Sequence, residues 1–404
     1  MSDFACSPSS TLPEQAPAAQ PAAWSAVFSL SFGVFGLVTA EFLPVSLLTP
    51  MAADLGVSNG AVGQAMTATA VVAACAGPLL VLGSGRLDRR SIVWTLMALL
   101  AVSSVLTAFA TGITMLLLAR ALLGFALGGF WAMIASLALR LVTPSDVPRA
   151  MSIIVMGVSL ATVAAAPLGA ALGAFWGWRA TFLLASGLGV ASLLVQLAVL
   201  PRMPSAGAPG IASFRAALTL RPVLIGLTTV IIVVSGHFAG FTYIRPFLEA
   251  VPRFEVSTVS LTLLAFGIGG FFGNVVAGTI AARSPAWAVG SSALLIGAAT
   301  LALALLGSSP FVSFLATTIW GVAFGGFPVS TSIWNARAAP DLAESAGALF
   351  SSSFQVAIAS GAVLGGLLVD GTGPRGVIIY ACIAVVLGAT VMLTIGRATE
   401  RARI

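Results

Sequence analysis

The sequence predicts an all-α polytopic membrane protein whose twelve transmembrane helices form two pseudo-symmetric six-helix bundles. Three observations lead there. Hydrophobic residues make up 59% of the 404-residue chain and charged residues only 7%, against about 25% charged in a soluble domain. Apolar runs, each close to the roughly 20 residues that cross a bilayer, recur along the chain. Finally, a Pro/Gly/Ser-rich stretch at 201–221 divides those runs six and six, into halves 24–200 and 222–396 of nearly equal length. A 6+6 plan with one long central linker reads as two repeats that bind a small molecule between them near the bilayer midplane.

The runs fall at about 24–48, 61–82, 91–110, 114–139, 150–174 and 180–200, then at 222–244, 257–281, 287–306, 310–333, 346–369 and 376–396. Residues 1–23 are rich in Ser, Pro and Ala and lack a basic leader, so they read as a disordered tail rather than a secretory signal. Residues 397–404 form a second short tail. With both tails cytoplasmic, one side holds Arg86, Arg89, Arg90, Arg140, Arg149, Arg202, Arg215, Arg221, Arg283, Arg337, Arg397, Arg401 and Arg403. The other holds only Arg179, Arg245, Arg253 and Arg375. That asymmetry fits the positive-inside rule. It also makes the net charge of +6 a set of topology signals, with no nucleic-acid partner expected.

Composition excludes several chemistries. All 18 basic residues are arginine, so lysine-dependent P-loop, Schiff-base and Ser–Lys mechanisms are ruled out. Cys6, Cys75 and Cys382 show no metal or disulfide spacing, and a single histidine excludes an HExxH zinc site. No nucleophile–base constellation is visible. The expectation is a non-enzymatic protein without metal or cofactor, a monomer whose partners are a small molecule, protons and the lipid bilayer.

The first run, from Trp24, contains one acid, Glu41. An ionisable residue at membrane depth is expensive and marks a pathway, a proton relay or a charge pair; solvation at the interface is the alternative. The fourth run contains Arg120, which by helical rise lies at a similar depth, roughly 9–10 Å from the same side. The two residues are expected close enough to influence one another's protonation. Arg120 could equally be a fixed structural arginine on backbone carbonyls. Gly124 and Gly128 follow it at four-residue steps, a smooth strip for close helix approach. The fifth run repeats the device with Gly157, Ala161, Ala165, Gly169 and Gly173, with Pro167 inside it. Tight packing and a sliding seam between bundles both fit. Between the second and third runs, Asp88, Arg89 and Arg90 could latch neighbouring helix ends through charge-assisted bonds.

These motifs resemble the major facilitator superfamily, in particular its twelve-helix drug:proton antiporter group. Arg120-x-x-x-Gly124 resembles the group's fourth-helix motif, whose arginine is implicated in proton coupling. The glycine run through Ala166-Pro167-Leu168-Gly169 is similar to the fifth-helix antiporter motif, with alanine in place of the glycine before the proline. Asp88-Arg89-Arg90 matches the core of the loop 2–3 gating motif, although the preceding glycine spacing departs from it. The stretches WSAVFS, AEFLPVSLLTPMAADLG, LGGFWAM, FTYIRPF and AAPLG resemble a subgroup of bacterial inner-membrane exporters of purine ribonucleosides. The resemblance implies the major facilitator fold and proton-coupled export, by alternating access, of inosine- or guanosine-like molecules, with Glu41 and Arg120 in proton coupling. Related exporters of sugars and drugs share parts of the pattern, and a non-transporting receptor or scaffold on the same fold is the alternative of another class.

The residues themselves point to a polar, aromatic-lined site. Trp131, His237, Phe241, Tyr243, Asn274, Trp320 and Gln355 offer flat faces for stacking and edge groups for hydrogen bonds. Each aromatic could instead pack against lipid or core, and the two amides could bond between helices. His237, the only histidine, is expected to handle substrate or protons, or to sit neutral against a neighbouring helix.

Overall fold

The computed structural model describes residues 23–83, 87–143, 146–203 and 211–401. The expected tail at 1–22, the linker segment 204–210, Arg86 and Arg403 lie outside the described residues. The described residues contain no β-strand.

The helices are α1 (Trp24–Leu55), α2 (Asn59–Gly83), α3 (Arg89–Ala108), α4 (Ile113–Leu141), α5 (Val147–Val199), α6 (Ile211–Thr219) and α7 (Arg221–Thr242). They continue as α8 (Ile244–Ala250), α9 (Val256–Arg283), α10 (Pro285–Leu306), α11 (Pro310–Ala338), α12 (Ala343–Val391) and α13 (Arg397–Arg401). Ten of them are long and apolar enough to cross a bilayer. Two of those ten, α5 and α12, each reverse at a glycine in the left-handed region, Gly177 (φ 80°) and Gly373 (φ 77°). A side chain there would be strained, so glycine permits both reversals. Each of the two supplies two crossings, and ten plus two gives the expected twelve. Three short helices were not expected: α6 inside the linker, α8, which follows the end of α7 at Thr242, and α13 in the C-terminal tail.

Large apolar side chains such as Leu79, Leu118, Leu194, Phe272, Leu305 and Leu367 cover the outside, as a lipid-facing surface requires. Arginines stack on tryptophans at the end where the described residues begin and finish: Arg149 on Trp24 and Arg397 on Trp287, within 5.0 Å. This is the tail end; the opposite end is the far end.

The two halves repeat one another in detail. A Cβ on Gly124 or Gly128 of α4 would strike the carbonyls of Thr69 and Ala73 on α2. In the second half, Gly321 and Gly325 of α11 meet the carbonyls of Phe266 and Gly270 on α9 in the same way. All four pairs of positions differ by 197. Gly157 of α5 lies on Ser31 O and Phe35 N of α1, and Gly361 of α12 lies on Ser235 O and Ala239 N of α7, a constant step of 204. Close backbone approach through small residues holds membrane helices together where no hydrophobic drive exists. The fifth-run glycines therefore serve packing within the first half: Gly169 and Gly173 also face α1, at Leu43, Ser46 and Leu47. The seam between halves is elsewhere. There Gly267 of α9 presses on the backbone of Thr162 and Val163, the turn whose hydrogen bond Pro167 removes.

Candidate functional site

The site begins with two prolines in α1, Pro44 and Pro50. Proline has no N–H, so the carbonyls four residues earlier, on Ala40 and Ser46, lose their helical donors. In a bilayer such groups need another partner. Arg120 supplies the first: Nη1 donates to Ala40 O at 2.8 Å and Nη2 to Glu41 O at 3.0 Å. Arg245 of α8 supplies the second from the other half, donating to Ser46 O. Its Nε also donates to Glu249 Oε1 at 2.7 Å, and Glu249 Oε2 accepts from the Thr49 hydroxyl at 2.7 Å.

Arg120 is thus the backbone-bonded arginine of the two forms considered, and it sits on Glu41's own peptide oxygen. The Glu41 side chain is 5% exposed. Its carboxylate makes no hydrogen bond or ion pair among the described residues. An acid and a guanidinium share one buried locus, with the acid left free.

The next residue, Phe42, carries the site across to the second half. It stacks on Phe238 at 6.2 Å and meets Phe241 edge-on at 6.3 Å. Behind these rings stands His237, fully buried, with Phe324 stacked on its face at 3.3 Å and Phe241 at 5.4 Å. Phe241 in turn stacks on Phe266 at 4.7 Å. Trp320 Nε1 donates to His237 Nδ1 at 2.9 Å, whereas His237 Nε2 is buried without a hydrogen-bond partner.

The other expected residues divide. His237, Phe241 and Trp320 come together in this cage. Tyr243 lies apart from it, its hydroxyl donating to Ala362 O at 3.0 Å and standing 3.4 Å from Gly60 O. Gln355 holds a buried Oε1 without a partner. Half-buried Asn274 makes no hydrogen bond among the described residues, and Trp131 packs against a core cluster drawn mostly from the first half. Asp88 caps α3 through Arg90 N at 2.9 Å and also accepts from Met203 N at 3.1 Å; both bonds stay on the first-half side. Arg90 stacks on Trp94 at 4.5 Å. Phe42, Phe266 and Phe324 went unnoticed in the sequence because phenylalanine is common in any membrane span. The signal that could have found the last two is the Ala-Phe-Gly triplet at 265–267 and again at 323–325.

At the far end, Asp370 of α12 caps a helix of the opposite half. Its Oδ2 accepts from the Ser58 hydroxyl at 2.6 Å and its Oδ1 from Gly60 N at 3.1 Å, at the start of α2. A carboxylate there meets orphan N–H groups and the positive end of the helix dipole. Every hydrogen bond joining the halves among the described residues lies at this end: Asp370 to α2, Tyr243 to Gly60, Arg245 to Ser46 and Thr49 to Glu249.

Two repeated bundles, a buried acid and arginine on one, an aromatic cage on the other, and a seam bonded at one end define a multi-pass membrane carrier. Residues 30–359 match the family model of the Major Facilitator Superfamily, and the chain belongs to that superfamily. It is 41% identical over 354 residues to the purine ribonucleoside efflux pump NepI of Shigella dysenteriae serotype 1 (strain Sd197), covering 87% of this chain and 89% of that one. The protein of the same name from Escherichia coli (strain K12) is also 41% identical, with 87% and 88% covered. Among solved structures, a bacterial homologue of the human lysosomal transporter Spinster superposes with a TM-score of 0.75 at 15% identity, covering 92% of this chain and 96% of that chain. The human organic anion transporter MFSD10 (TETRAN) gives 0.68 at 18% identity, covering 92% of this chain and all of its own. These two likenesses support the fold.

Proposed function

We propose that the chain is a proton-coupled antiporter that exports purine ribonucleosides, such as inosine or guanosine, across a bacterial inner membrane by alternating access. Both tails would be cytoplasmic, so the bonded far end is the periplasmic gate in its closed state. The observation that carries the reading is Glu41, an acid at membrane depth, unpartnered, beside Arg120 and one residue from the cross-half aromatic contact at Phe42. Burial there disfavours the carboxylate and the neighbouring Arg120 guanidinium favours it, so a change of conformation or substrate that shifts this balance would move a proton on or off Glu41. Arg120 is tied to carbonyls rather than to the carboxylate, so Glu41 can load and release a proton without breaking an ion pair. The name of the 41%-identical relatives supports the substrate class.

The test is Glu41→Gln in proteoliposomes. Inosine movement driven by an imposed pH gradient is expected to fall to the background of empty vesicles. Counterflow, which needs no net proton movement, should persist. Full gradient-driven transport by the variant would refute the role of Glu41.

A further inference from the structure

We infer that His237 recognises the transported ring, donating a single fixed hydrogen bond from Nε2–H to an acceptor on a flat heterocycle. The inference rests on the export reading above and deepens it. An indole N–H can only donate, so the bond from Trp320 Nε1 to Nδ1, at 2.9 Å, makes Nδ1 the acceptor. The proton of the neutral ring then sits on Nε2. Protonating Nδ1 as well would break the tryptophan bond, so the same contact keeps His237 from acting as a proton carrier. Nε2–H is left as a donor that cannot become an acceptor, in a fully buried position with no partner.

A buried donor without an acceptor is costly, and packing alone would be served better by phenylalanine. The surroundings suit a planar guest. Phe324 covers one face of His237 at 3.3 Å and Phe241 lies parallel at 5.4 Å. Phe324 is half-buried and stands on a weak part of α11: Gly325 and Gly326 follow it, and Pro328 removes the donor to its own carbonyl. A planar guest that shifts Phe324 aside and lies edge-on, in the plane of the imidazole, would bring an acceptor to Nε2. The cage also touches the opposite half through Phe42, where a molecule bound between repeats must lie. The expected preference is for a ring carrying a carbonyl acceptor over the same ring without one.

Because the chain has one histidine, tag-free protein labelled with 15N-histidine reports on this residue alone. The expected spectrum shows an unprotonated Nδ1 and a protonated Nε2, with the Nε2 resonance moving on addition of inosine. In parallel, wild type should bind inosine about tenfold more tightly than purine riboside, which lacks the ring carbonyl, and His237→Phe should erase that ratio. If inosine binds while Nε2 stays unmoved, or if His237→Phe keeps the ratio, the inference is overturned and the export reading stands. If wild type binds no inosine, the substrate reading fails first and takes this inference with it.

Discussion

Two arginines hold α1, and they differ in what they join. Arg120 and Arg245 both donate to carbonyls on α1, and in each case one of those carbonyls has been stripped of its helical donor by a proline four residues on. Arg120 comes from α4 of the same half and is 1% exposed. Arg245 comes from the opposite half, is 6% exposed, and shares its guanidinium with Glu249. The first bond need not break in any rigid-body motion of one half against the other. The second must break whenever the far end opens. On the alternating-access reading, one chemical device serves as a permanent strut in one place and as a releasable latch in the other. The difference is set by which bundle the arginine grows from.

Substitution separates the two roles. Arg120→Met should have the largest effect. It leaves Ala40 O without a donor in a medium that offers no water, and each orphaned buried carbonyl costs about 1–3 kcal/mol. The yield of monodisperse protein in detergent is expected to fall severalfold or more, with transport lost. A well-folded Arg120→Met protein would show that Ala40 O needs no strut. Arg245→Met should leave folding intact and release only the latch. A charge-assisted bond contributes about 1.5–3 kcal/mol, so the far-end-open population should rise tenfold or more. Hydrogen exchange of the amides at 58–64, which Asp370 and Tyr243 cover in the closed state, would measure it. Severe misfolding of this variant would erase the distinction.

Much of this was legible in the sequence, and the rest was hidden for physical reasons. Hydropathy and the arginine asymmetry were enough to expect twelve crossings in two halves, because lipid forces every backbone group into helix. Glu41 and Arg120 stood out because charge is rare at that depth. Arg245 did not. In the sequence it is one arginine among the outer orientation signals, since nothing local reveals that α8 turns it back onto Ser46. The latch is a property of tertiary placement, as is Asp370, which caps a helix more than 300 residues earlier. The prolines were visible, but a freed carbonyl becomes informative only once its new donor is known. The His237–Trp320 bond joins residues 83 apart, beyond the reach of helical periodicity.

The freed carbonyl is itself testable. Pro50→Ala restores an N–H that can reach Ser46 O along the helix, so Arg245 meets an acceptor already in use. A carbonyl has two lone pairs and can keep both donors, so the latch should weaken rather than vanish, by about 1 kcal/mol or roughly fivefold in the far-end-open population. The effect must be smaller than that of Arg245→Met, and it must disappear in the Arg245→Met background, where no latch is left to weaken. Additive effects in the double variant would mean that Pro50 acts by bending α1, and the pairing of proline and arginine would then be a coincidence of position. Non-additivity of about 1 kcal/mol, read as a double-mutant cycle on the same amides, would establish that the missing N–H at residue 50 is what makes room for the guanidinium.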